Sequence, residues 1–99
     1  MKFRVSHKPG VLKQIAVLHE AAKAVGIEPQ FVDALRQIVV HLQTHPLQWG
    51  DPEYNLIHEG GVVCHGIVEP LTARFAVYEI EEAVYILEIR PLPNSLLAK

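Results

Sequence analysis

The first residues alternate, with Phe3 and Val5 on one side and Lys2, Arg4 and Ser6 on the other, which is the period of a half-buried strand. The period then changes. Val11, Leu12, Ile15, Leu18, Ala22 and Val25 recur at helical spacing, predicting a first helix with Pro9 in its opening turn and Gly26 as its left-handed C-terminal residue. A second helix begins near Pro29 and carries Phe31, Leu35, Ile38, Val39 and Leu42 on one stripe until Pro46 forbids continuation. The short link "GIEP" makes the two a helical hairpin.

The segment "HPLQWGDPEYN" is dense in Pro and Gly and reads as a turn-rich connection, with Trp49 as a packing anchor. From Tyr54 onward the pattern is that of strands: "YNLIH", a Gly60-Gly61 turn, "VVCHGIVE", a Pro70-Leu71 turn, "TARFAVYEI" and "AVYILEIR". A strand, two helices, then three or four strands joined by tight turns predicts an α+β fold, an antiparallel sheet with the helices on one face. The last residues, "NSLLAK", either fray or form one short turn.

Composition sets the frame around these elements. A chain of 99 residues is one domain, 1–99, with enough core to fold without a metal or disulfide staple. Its single cysteine, Cys64, has no intramolecular partner, no secretory signal opens the chain, and no apolar run reaches the roughly 18 residues of a membrane span. The expectation is a soluble cytoplasmic protein without a cofactor. A net charge of −2 gives no general attraction to nucleic acid.

The order of elements, with Arg74 and Tyr78 in the penultimate strand and an aliphatic last strand ending in Arg90, resembles the RelE/ParE superfamily of bacterial toxins, the plasmid-stabilisation proteins of type II toxin–antitoxin systems. The resemblance spans nearly the whole chain. It implies a helical hairpin on one face of a small antiparallel sheet and a cognate antitoxin as partner. Members resembling RelE cut messenger RNA in the ribosome, as metal-independent endoribonucleases, whereas those resembling ParE act on DNA gyrase. The other expectation is a non-catalytic protein-binding module on the same scaffold, either a gyrase-inhibitor type or a member that has lost toxicity. Self-association into a homo-oligomer is compatible with both; a membrane partner is not expected.

Cutting RNA through its 2′-hydroxyl needs a base near that oxygen, a cation on the scissile phosphate and an acid for the leaving 5′-oxygen. The resemblance offers Arg74 and Arg90 as the cations, whose planar forks match phosphate oxygens, and His65 or Tyr78 as the proton carrier. The competing reading pairs the arginines with Glu79, Glu88 or Glu69 and gives His65 a backbone hydrogen bond. Two registers are open for the last hairpin. A loop of Glu81-Glu82-Ala83 sets Arg74 opposite Arg90 and Tyr78 opposite Ile86, on one face; a Glu81-Glu82 turn sets Arg74 opposite Ile89 and sends Arg90 to the other side. A Pro70-Leu71 turn places His65 opposite Ala76, on the face of Arg74 and Tyr78.

Three further features carry weaker chemistry. His41 and His45 stand four apart at the end of the second helix, half of a metal site whose remaining ligands are not evident, or else two solvated imidazoles at a helix end. Cys64 lies inside an apolar strand and reads as packing rather than nucleophile. His58 sits near the Gly60-Gly61 turn, which is a turn signal and not a phosphate-cradling loop.

Overall fold

In the computed structural model of the chain, which describes residues 2–98, β1 (Arg4–His7) leads into α1 (Val11–Ala24) and α2 (Glu28–Thr44). A single helical turn, α3 (Pro46–Trp49), then precedes β2 (Asp51–Leu56), β3 (Gly61–Val68), β4 (Leu71–Tyr78) and β5 (Ala83–Pro91). The expected α+β class and helical hairpin are present, and the four later strands are antiparallel neighbours. β1 adds a fifth strand, parallel to β5, giving the order β1-β5-β4-β3-β2.

Local chemistry explains the helix ends. Gly10, at φ 97°, breaks the run between Pro9 and Val11, so Pro9 lies in a turn closed by Val11 N–H to Lys8 O and not in the first helical turn as expected. At the other end of α1, Gly26 takes the left-handed conformation. Its N–H bonds Lys23 O and the Ile27 N–H bonds Ala22 O, the paired closure that satisfies carbonyls left over by the helix. α2 has Pro29 in its first turn and stops before Pro46. The hairpin is tied by His19, which lies 2.8 Å from Glu28 and stacks on Phe31 at 5.3 Å.

The core lies between the helices and one sheet face. Val11, Ala22, Phe31, Ala34, Ile38 and Leu42 meet Cys64, Leu71, Ala73, Phe75, Val77, Val84, Ile86 and Ile89. Full burial of each large side chain contributes about 1.5–3 kcal/mol. Leu97 also joins this cluster, so residues 92–98 fold back in turns rather than fray; Lys99, the last residue of that expectation, lies outside the described residues. Trp49 is the anchor expected of it: its ring stacks between His41 at 4.8 Å and Phe75 at 5.6 Å. That stacking orders the supposed connection into α3, and β2 consequently begins at Asp51 rather than Tyr54.

All three connections between the later strands differ from expectation: β2 stops at Leu56 and not at His58, Ile57-His58-Glu59-Gly60 form the first turn, and Gly61 already belongs to β3. Leu71 is fully buried and belongs to the core side of β4, so the β3–β4 turn is Glu69-Pro70, and His65 faces Arg74 instead of Ala76. Between β4 and β5 the loop is Glu79-Ile80-Glu81-Glu82, with Glu82 in the left-handed region at φ 53°. Leu87 is then an extra residue in β5, a bulge between the partners of Phe75 and Arg74. Neither expected register is found. Arg74 stands opposite Glu88, Thr72 opposite Arg90, and Tyr78 opposite Ala83. The bulge lets Val84, Ile86 and Ile89 all reach the helices despite their uneven spacing, and the Ile89 N–H bonds Gln14 Oε1 of α1.

Candidate functional site on the open sheet face

The face turned away from the helices carries the polar residues. Side chains alternate across a strand, so the register sets Tyr54, Val63, Ala76 and Tyr85 in one row and Asp51, His65, Arg74 and Glu88 in the next. Thr72 and Arg90 follow beyond Arg74. Both arginines therefore share this face, as neighbours on a diagonal rather than as an opposed pair. Together with Glu53 and His65 they line a groove of about 440 Å³.

Glu53 enters this set through a second bulge. β2 is the edge of the sheet, and its pairing shifts between Pro52 and Tyr54, leaving Glu53 as the extra residue. Pro52 has no N–H for the ladder, so the edge tolerates the irregularity. The displaced Glu53 side chain bridges two strands. Its Oε2 lies 3.1 Å from His65 Nδ1, and its Oε1 lies 3.2 Å from Arg74 Nε.

A carboxylate only accepts hydrogen bonds, so this contact puts the imidazole proton on Nδ1 when His65 is neutral and leaves Nε2 with a lone pair. The nearest carboxylate to that nitrogen is Asp51, with Oδ2 at 3.9 Å, too long for a hydrogen bond. Arg74 is held on several sides. Its Nη2 reaches the Tyr54 hydroxyl at 3.5 Å, and its guanidinium carbon stands 5.9 Å from the centre of the Tyr54 ring. Its Nε is buried, yet the approach of Glu53 is not aligned as a hydrogen bond, so the charge is paired while that donor is left unsatisfied.

Of the two remaining expected residues, Arg90 lines the groove and Tyr78 does not. Arg90 is the open cation of the groove, its side chain 69% exposed and 3.8 Å from Glu88. Tyr78 is on the same face but four residues along the strand from Arg74, about 13 Å. There it covers Gly61 and donates its hydroxyl to Glu59 at 2.9 Å. Burial, and then the Glu59 hydrogen bond and charge, push the Tyr78 phenol up from its ordinary range, so it stays protonated at neutral pH. Of the carboxylate partners, Glu88 pairs with Arg90 as expected, whereas Arg74 takes Glu53, which lies outside the expected Glu79, Glu88 and Glu69.

Outside the groove, His41 Nδ1 and His45 Nε2 are 3.0 Å apart, and Thr44 Oγ1 lies 2.7 Å from His45 Nδ1. They contact each other at the junction of α2 and α3. Among the described residues no group of three or more His, Cys, Asp or Glu side chains is placed to hold a metal ion. Cys64 is fully buried, and burial, then Glu53 and Asp51, raise its thiol from the ordinary value. His58 lies in the β2–β3 loop, away from the groove.

Sequence reasoning missed Asp51, Glu53 and Tyr54. The one signal that pointed to them was Pro52 beside a charged residue at the start of a strand, the mark of an edge bulge. Among the described residues no helix is long and apolar enough to cross a membrane. No protein-family model matches this chain, and no curated protein matches it significantly.

Proposed function

We propose that the chain is the toxin-like component of a bacterial type II toxin–antitoxin pair, of the RelE/ParE kind, and that the groove between β2 and β5 cuts RNA without a metal. The observation that supports this reading is the cross-strand pair His65 and Arg74, joined by Glu53 in a groove that also holds Arg90. His65 Nε2 takes the proton of the RNA 2′-hydroxyl while Glu53 fixes the ring through Nδ1. The 2′-oxygen then bonds to phosphorus, the bond from phosphorus to the 5′-oxygen breaks, and solvent in the open groove protonates the leaving oxygen. Arg74 and Arg90 stabilise the charge on the phosphate oxygens. The products are a 2′,3′-cyclic phosphate and a 5′-hydroxyl end. Tyr78, remote and protonated, has no part in this step.

The test is cleavage of messenger RNA on ribosomes by purified protein, with growth on induced expression as the cellular counterpart. Arg74→Ala lowers the rate about 10²–10³-fold and His65→Ala about 10²–10⁴-fold. Intact transcripts and unimpaired growth with folded protein overturn the reading.

A second reading, a protein-binding module without catalysis, is favoured by the charge balance of the groove. Glu53 and Glu88 in the groove, with Asp51 beside it at His65, set three carboxylates against the guanidinium groups of Arg74 and Arg90, which disfavours a polyanion. On this reading the variant Arg74→Ala with Arg90→Ala arrests growth as the wild type does, and loss of arrest in the folded double variant excludes it.

A further inference from the structure

We propose that Glu53 is an internal stand-in for a ligand phosphate: it holds Arg74 in the free protein and yields it when a phosphate group enters the groove. The choice of phosphate as ligand rests on the reading of the groove given above. The position of Glu53 does not, since it follows from the β2 bulge. A regular strand has no extra residue between Pro52 and Tyr54, and it is this extra residue that brings a carboxylate within 3.2 Å of Arg74 Nε, one strand beyond its direct neighbour.

The contact has the features of a replaceable partner. Glu53 neutralises Arg74, yet the buried Nε–H finds no aligned acceptor, so an unmet donor remains. A tetrahedral phosphate presents more oxygens in more directions than a carboxylate anchored by a short side chain, and can align with the guanidinium edge. The Glu53 side chain is 29% exposed, with solvent to move into. Its other oxygen keeps the hydrogen bond to His65, so releasing Arg74 need not release the imidazole. The groove extends past Arg74 to Thr72 and Arg90, room for a ligand on the side away from Glu53. The carboxylate thereby sets a threshold: weak anions fail to displace it, and a phosphate carried by a larger ligand with further contacts succeeds.

The experiment is titration of the whole chain with inorganic phosphate, followed by calorimetry and by the arginine side-chain NMR signals. Glu53→Gln removes the charge and keeps the shape. It is expected to raise phosphate affinity about tenfold over wild type, with the Arg74 Nε signal shifting on binding. Adding Arg74→Ala to Glu53→Gln is expected to abolish the gain. Asp51→Asn removes an equal charge beside the groove, next to His65 and with no contact to Arg74, and it is expected to change affinity less than twofold. An unchanged affinity in folded Glu53→Gln, a gain that survives loss of Arg74, or an equal gain in Asp51→Asn overturns the proposal. If Glu53→Gln lacks the native Trp49 fluorescence, Glu53→Ala takes its place under the same criteria. RNA is absent from this assay, which separates the two readings. A gain in a protein that never cuts RNA retains the stand-in and removes the nuclease; cutting by wild type with no gain does the reverse.

Discussion

The ring of Trp49 fills the space that a Cβ on Gly66 would need: such an atom would lie 2.4 Å from Trp49 Cη2 and 2.6 Å from Cζ2 and Cζ3. The ring has little freedom to retreat, because His41 and Phe75 stack on its two sides. Gly66→Ala is therefore expected to destabilise the fold by about 1–3 kcal/mol, read as a lower urea midpoint with an unchanged slope. A midpoint equal to wild type would show that α3 moves freely over the sheet.

Tyr78→Phe separates a shared face from a shared site. The hydroxyl donates only to Glu59, at 2.9 Å, so its loss is expected to cost about 1 kcal/mol or less and to leave RNA cleavage unchanged. In the wild type, burial and then Glu59 hold the Tyr78 phenol above its ordinary value. Absorbance titration should show one of the three tyrosines ionising later than the ordinary value near pH 10.

Cys64 should resist thiol reagents. It is fully buried on the core side of β3, and burial, then Glu53 and Asp51, raise its thiol, so the reactive thiolate is suppressed at neutral pH. Labelling by a disulfide reagent is expected to be about a hundredfold or more slower in native buffer than in urea. Equal rates would contradict the packing described for β3.

The pair His41 and His45 gives stability a pH dependence of known sign. Burial, and secondly the neighbouring His45, hold His41 below its ordinary value. As pH falls below about 6.5 the unfolded chain takes up a proton before the folded one does. The contribution is thus complete above that pH and is lost as the solution becomes more acidic. Urea midpoints measured from pH 7.5 to pH 5 should decline, and the decline should be shallower in His41→Gln.

The elements were legible in the sequence because their periods differ; the site was legible only in part because it depends on two bulges. Phe31, Ile38 and Leu42 announce a helix face, and Ala73, Phe75 and Val77 a strand face, by spacing alone. The order Val84, Ile86, Ile89 also holds a readable clue, a step of two followed by a step of three, which is what one inserted residue in a strand produces. Reading that step requires knowing which face is buried, and this depends on Leu71 and Phe75 from the neighbouring strand. Glu53 was harder still. Its partners His65 and Arg74 lie on two other strands, and periodicity within β2 has no bearing on which carboxylate the edge displaces toward them.

The parallel pairing of β1 with β5 has a consequence for synthesis. Arg4 through His7 are synthesised long before their hydrogen-bonding partners, Ala83 through Ile86. At ordinary elongation rates β1 waits roughly 4–16 s for its neighbour, with Phe3 and Val5 lacking the core that later covers them. The sheet is thus completed by the meeting of two strands far apart along the chain, and a ribosome that stalls before β5 carries a nascent chain whose β1 has nowhere to dock.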